Sequence, residues 1–200
     1  MTGTPFDLPG TTGQGPSLAQ TRESCEKESV GGAMRTVSPA ETRCEMTSIV
    51  MPGQANALGT VFGGQVMSWI DVCAAVSAQR FARSNVVTAS MDNLLFRAPI
   101  KHGHIVVLHG MVNWAGRTSM EVGVRVESED PLTGIRTHTS TCYLTFVALG
   151  EDGMPVPVPT LTPTSDEELR RHAQAELRRN HRLQAREADR RVREQLGGAS

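Results

Sequence analysis

Several features that announce a function are missing from this sequence. No apolar run approaches the roughly 18 to 20 residues that a membrane-spanning helix needs, so no membrane partner is expected. Lysine is almost absent: Lys27 and Lys101 are the only two, and neither completes a GxxxxGK phosphate-cradling loop. ATP-driven phosphoryl transfer is therefore disfavoured. Cys25, Cys44, Cys73 and Cys142 make no CxxC pair and share no zinc-ligand spacing with histidine, which predicts reduced, mostly buried thiols. His102-Gly103-His104 lacks a third ligand nearby, and no metal is expected. A Gly-x-Ser-x-Gly elbow is missing too, leaving serine-hydrolase chemistry without support. The first twenty residues hold neither a basic n-region nor an apolar h-region, so secretion is not signalled and a cytoplasmic protein is expected.

What is present is the composition of a globular protein: 200 residues, 38% hydrophobic and 20% charged, with a formal net charge of −1. That length suits one core. Residues 1–36, rich in Gly, Pro, Ser and Thr and without helical or strand period, read as a disordered leader. Residues 37–163 carry the hydrophobic periodicity; their eight basic and ten acidic residues do not form a nucleic-acid face. After Pro155, Pro157, Pro159 and Pro163, a stretch no interior strand could hold, residues 164–200 read as a polar helix with a frayed end. Ser165-Asp166-Glu167-Glu168 matches a capping box that starts it. This helix holds nine of the eighteen arginines, with seven acids between them. A solvated, salt-bridged face accounts for that pattern better than nucleic-acid binding. Leu169, Ala173 and Leu177 at spacing four are the residues expected to dock its first turns.

Within the middle region the pattern predicts a strand over Glu41–Met51, a loop through Thr60, and a helix from Gly64 to Arg83 that is apolar nearly all round and hence buried on most faces. Four strands follow, about Asn85–Arg97, His104–Trp114, Thr118–Glu129 and Ile135–Leu149. The third is a clean alternation of Met120, Val122, Val124 and Val126 against polar or small residues. Asp130-Pro131-Leu132-Thr133-Gly134 reads as the hairpin loop before the last. The expected fold class is α+β, a long central helix wrapped by a curved antiparallel sheet of about five strands, plus the polar C-terminal helix. One helix of about 20 residues, about 30 Å long, leaves strand edges uncovered, so association into a homo-oligomer is expected.

Asp71 stands out because it interrupts the apolar run Trp69-Ile70-Asp71-Val72-Cys73, where an unpartnered carboxylate is costly. Two readings stay open: a helix face that meets solvent once per turn through Ser68 and Gln79, or a carboxylate at a pocket or subunit boundary acting as base or nucleophile. Gly63-Gly64 opens the helix without a good N-cap before it, so its amides could serve as an oxyanion site or the glycines could serve close packing. Asn56 is an ordinary turn residue on this reading.

Taken together, the stretch from Met51 through Asn56 and Gly63-Gly64 to Asp71 resembles the signature of the hotdog-fold acyl-CoA thioesterases, the branch with bacterial acyl-CoA hydrolases and the cytosolic and brown-fat-type animal enzymes. Further blocks match in order: Val86–Asp92, Phe96–Ile100, Gly116–Val122 and Tyr143–Leu149. The resemblance spans roughly residues 40–180. It implies a hotdog fold and hydrolysis of an acyl-CoA thioester to a free acid and CoA, with CoA as part of the substrate and no other cofactor. By the same resemblance Asn56, Asp71 and Thr88 are the catalytic residues, meeting across a dimer interface. Gly63 or Gly64 amides form the oxyanion hole, and Arg117, Thr118 and Ser119 hold CoA. Dimer is the minimal unit, and a hexameric trimer of dimers is the larger assembly implied. Trp69, Leu94 and Phe96 are expected to set pocket depth. An acyl-CoA hydratase is disfavoured because no histidine lies near Asp71 on the helix. A non-catalytic acyl-CoA sensor is disfavoured because no output-domain pattern is seen.

Overall fold

The computed structural model describes residues 35–92 and 94–197, with side chains as far as Glu194. The expected leader falls on residues outside this range except for its last two positions. Of those, Thr36 opens a two-residue strand, β1 (Thr36–Val37). The main sheet is built from β2 (Cys44–Ile49), β3 (Asn85–Met91), β4 (Ile105–Ala115), β5 (Ser119–Glu129) and β6 (Arg136–Leu149). A final short strand, β7 (Thr160–Leu161), pairs parallel with β1. The helices are α1 (Gly63–Ala82) and α2 (Asp166–Gly197).

The five strands run in the order β2-β4-β5-β6-β3, every pair antiparallel, and β2 and β3 form the edges. This curled sheet around one long helix is the hotdog arrangement. Period-two alternation sends Met120, Val122, Val124 and Val126 of β5 to the inner face, all at 0% exposure. They meet Val66, Ile70, Cys73, Ala74, Ala78 and Phe81 of α1, each equally buried. Gly110 of β4 marks the closest approach of helix to sheet. A Cβ there would stand 2.8 Å from Ser77 Oγ and 3.2 Å from the Cys73 carbonyl oxygen, so only glycine lets α1 sit this low.

Element ends differ from the sequence expectation in instructive ways. Pro39–Thr42 and Pro52–Gln54 form single 3₁₀ turns that trim the first strand to Cys44–Ile49. Each has proline in the first turn, where its missing N–H costs nothing. β3 stops at Met91 rather than Arg97. Beyond it the chain leaves the sheet, held to β6 by the Asp92 N–H on the Tyr143 carbonyl at 2.9 Å and the Arg97 N–H on the Thr139 carbonyl at 2.8 Å. The turn at Asp130–Gly134 is as expected, with Gly134 at φ +69° and its N–H on the Asp130 carbonyl. α1 ends at Ala82, with Arg83 left-handed at φ 55°.

The C-terminal helix starts as the capping box predicts. The Glu168 N–H donates to Ser165 Oγ at 3.3 Å, and the Glu168 carboxylate accepts from the Thr164 and Ser165 amides at 2.9 and 3.2 Å. Those bonds, the Thr164 amide first, hold the Glu168 carboxyl below the usual carboxylate range. Its docking face is not the expected one. Leu169 and Leu177 are 50% and 60% exposed and Ala173 is exposed as well, while Glu168, Ala175, Arg178 and Arg182 face the sheet. The reason lies in what α2 covers, the outer face of β4, β5 and β6. There Glu121, buried to 1% exposure, pairs with Arg178 and Arg182 at 2.6 and 3.0 Å. The Arg178 guanidinium also lies 3.5 Å from the centre of the Tyr143 ring. α2 remains helical to Gly197.

Candidate functional site

α1 carries chemistry at two places. Its first residue follows Phe62, an extended residue with no side chain able to cap. The amides of Gln65 and Val66 turn back to the Phe62 carbonyl at 3.0 and 3.2 Å, whereas those of Gly63 and Gly64 donate to no acceptor among the described residues. Two aligned N–H groups at the positive end of a 20-residue helix form a ready donor pair for a carbonyl oxygen that is gaining charge.

The loop that precedes α1 is folded onto this end. Asn56 Oδ1 accepts from the Leu58 amide at 2.9 Å and the Thr60 amide at 3.2 Å, while Asn56 Nδ2 lies 3.0 Å from Thr60 Oγ1. Asn56 is thus a turn residue that still has one side-chain N–H to offer. Thr60, its partner, escaped the sequence reading; the only signal was a hydroxyl four residues after the asparagine in a glycine-containing turn. Beside these residues opens a cavity of about 280 Å³, walled by Val61, Gly63, Phe96, Pro99 and Ile100. Of the three residues expected to set pocket depth, only Phe96 lines it. Trp69 and Leu94 pack into the core instead.

Asp71 lies two turns further along α1, half-buried, with Ser68 exposed one turn before it. Thr88 of the edge strand β3 donates from Oγ1 to Asp71 Oδ1 at 2.7 Å, and Oδ2 has no hydrogen-bond partner among the described residues. Around this pair Met67, Val72 and Val87 keep 44%, 51% and 45% of their surface exposed. They form an apolar border beside a strand whose outer hydrogen-bonding side has no partner in the sheet. The face of α1 that carries Asp71 reaches solvent through Ser68 and Gln79.

The turn at Arg117-Thr118-Ser119 joins β4 to β5, closed by the Gly116 N–H on the Ser119 carbonyl at 2.8 Å. Thr88 is opposite Phe146, which is opposite Met120, so this turn stands about two strand spacings, about 10 Å, across the sheet from Thr88. One chain therefore brings Asp71 and Thr88 together and groups Asn56 with Gly63 and Gly64. It holds the 117–119 turn apart from both. Asp71 follows Gly63 by eight residues of helix, about 12 Å, too far for both to engage one reacting carbonyl. Among the described residues no three His, Cys, Asp or Glu side chains are placed to share a metal ion, and no helix is long and apolar enough to cross a membrane.

A sequence profile of the Thioesterase superfamily matches residues 58–135. The uncharacterized acyl-CoA thioester hydrolase YkhA of Bacillus subtilis is 45% identical over 142 residues, covering 71% of this chain and 83% of the relative. Among solved structures, an apo-hexameric acyl-CoA thioesterase superposes with a TM-score of 0.74 at 42% identity, covering 76% of this chain and 97% of that one. The acyl-CoA hydrolase of Staphylococcus aureus, solved in complex with butyryl coenzyme A, coenzyme A and coenzyme A disulfide, superposes with the same TM-score of 0.74 at 36% identity, covering 81% and 99%. That enzyme has also been solved with an asparagine, an aspartate or a threonine changed to alanine, the aspartate 15 residues after the asparagine and the threonine 17 after the aspartate. Asn56, Asp71 and Thr88 stand at the same two intervals in this chain.

Proposed function

The chain belongs to the hotdog-fold acyl-CoA thioesterase family and is a thioester hydrolase, and from that premise we propose that it hydrolyses acyl-CoA at a site assembled from two copies. One copy supplies Asp71 with Thr88; the other supplies Asn56 with the Gly63 and Gly64 amides. The observation that carries this reading is the Thr88–Asp71 hydrogen bond of 2.7 Å on a helix whose free amides lie about 12 Å away in the same chain. The matching intervals in the Staphylococcus aureus enzyme support the choice of residues, and the exposed apolar border of β3 supports a second copy beside it.

In this site the thioester carbonyl oxygen points at the glycine amides, which are fixed before reaction and stabilise the oxyanion as it forms. Asp71 Oδ1 is held by Thr88, so Oδ2 accepts a proton from water as the water oxygen bonds to the carbonyl carbon. Collapse of the tetrahedral intermediate breaks the C–S bond. The CoA thiolate leaves and takes up the proton, and the products are a carboxylic acid and CoA-SH. Asn56 positions the water or the carbonyl with its remaining N–H. Arg117, Thr118 and Ser119 hold the CoA portion, and no further cofactor takes part. The assembly is a homodimer at least, of the kind three of which build a hexamer.

The test is thiol release from acyl-CoAs of several chain lengths by the native chain and by Asp71→Asn. The variant is nearly isosteric and loses the charge, so it should fold normally while kcat falls about 100-fold or more. Near-normal kcat in folded Asp71→Asn, or an enoyl rather than free-acid product, would refute the reading.

A further inference from the structure

The outer face of the sheet, beneath α2, holds a pocket whose charges do not cancel. Glu121 and Asp92 are both satisfied there: Arg178 and Arg182 bond Glu121 at 2.6 and 3.0 Å, and Arg182 bonds Asp92 at 2.7 Å. Two carboxylates thereby match two guanidinium groups. On the adjoining stripe of the helix, Arg179 and Arg186 border a cavity of about 160 Å³ with Trp114, Ser119, Thr145 and the paired Glu121 and Arg182. Neither arginine has a carboxylate within ion-pair distance among the described residues.

The cavity is shaped as well as charged. The Arg179 guanidinium lies over the Trp114 ring, 4.8 Å from its centre, which holds the fork in place. Trp114 can lie there because residue 116 is glycine; a Cβ would meet the indole Cη2 at 2.7 Å. Thr145 Oγ1 is buried and has no hydrogen-bond partner among the described residues, and a buried hydroxyl without a partner is a cost that a bound acceptor removes. Two guanidinium groups, an unpaired hydroxyl and the Ser119 hydroxyl together ask for a compact anion with several acceptor oxygens. A phosphate meets that demand better than a carboxylate with two oxygens.

We propose that this pocket binds a phosphate at the nucleotide end of the acyl-CoA substrate, which makes α2 part of substrate recognition. The proposal rests on the thioesterase reading. Its position agrees: Ser119 belongs to the turn assigned to CoA, so the pocket continues that surface toward α2.

The test uses the full chain, the double variant Arg179→Gln/Arg186→Gln, and Thr145→Val as a variant that keeps the local shape. KM for acyl-CoA should rise about tenfold or more in the double variant, with kcat within about twofold and KM for the matching acyl-pantetheine, which has no nucleotide, unchanged. Adenosine 3′,5′-bisphosphate is the binding probe, measured by calorimetry; it should bind the native chain and lose about tenfold or more in affinity in the double variant and less in Thr145→Val. If the double variant fails to fold, the single Arg186→Gln and Thr145→Val proteins decide by the same measurements. Equal rises in KM for both substrates, or unchanged KM with unchanged bisphosphate affinity, overturn the proposal. Lost bisphosphate affinity with unchanged KM overturns the substrate assignment and gives the pocket to a free nucleotide phosphate. A native chain that releases no thiol from any acyl-CoA sinks the thioesterase reading alone, since bisphosphate binding still tests the pocket.

Discussion

Mixing two inactive proteins should restore activity in a calculable amount. The separation of Asp71 from Gly63, about 12 Å of helix, divides the proposed site into halves: Asn56 with the glycine amides, and Asp71 with Thr88. An Asn56→Ala homodimer has both sites damaged in the first half, and an Asp71→Ala homodimer has both damaged in the second. In a mixed dimer one site receives both lesions and the other receives none. Random exchange at equal concentrations makes half the dimers mixed, so about a quarter of the native number of sites is intact. Joining three dimers into a hexamer leaves that fraction unchanged.

The assay is thiol release after subunit exchange, with exchange verified by mass-tagging one partner. Activity should follow the product of the two mole fractions, peaking at equal mixing and vanishing at either end. Asn56→Ala also removes the bonds to Leu58 and Thr60, yet a disturbed loop damages the same half and leaves the arithmetic intact. No recovered activity despite verified exchange would show that Asn56 and Asp71 act within one chain. A monomer by light scattering, active at native rates, would refute the shared site outright.

Other consequences concern the scaffold. Gly110→Ala should destabilise by about 1 to 3 kcal/mol in urea unfolding, because the added methyl forces α1 off the sheet. Glu121→Gln should lower stability by about 2 kcal/mol, less than for a fully buried pair because Arg178 and Arg182 keep 23% and 21% of their side-chain surface exposed; chemical denaturation checks it. Burial pushes the Cys73 thiol up to about 12 and the Cys142 thiol up to about 11, so native protein at pH 8 should leave Cys73 and Cys142 unalkylated in peptide mass maps. The Glu168 carboxyl is held below its unfolded value of about 4.5, so its contribution is present above that pH and is lost as pH falls through the folded value. Helix content by circular dichroism should therefore decline below about pH 4.5, with a smaller decline in Glu168→Gln.

The hotdog core was legible in the sequence because each of its signals has one physical meaning. Met120, Val122, Val124 and Val126 alternate at the period of a strand and are all fully buried, and Ser165 with Glu168 caps a helix where it should. The proposed site was read by a different route. Asp71 in an apolar helix drew attention by its charge, but Thr88 and the proposed division of labour between two copies came from the family resemblance. What pattern reading missed was the face by which α2 docks. A search for an apolar stripe selects Leu169, Ala173 and Leu177 because it assumes an apolar partner. The partner here is the outer face of β4, β5 and β6, where alternation places Glu121 and Tyr143, and a sequence does not say what covers a sheet's second face. Arginine suits that surface: its stem packs, its fork pairs with Glu121, and its plane stacks on Tyr143. The charge pattern that read as a solvated face is thus, on one side of the helix, an interface. Four arginines of α2 have no acid within ion-pair distance among the described residues, Arg170, Arg179, Arg186 and Arg193, and of these only Arg179 and Arg186 share a cavity with Trp114 and Thr145.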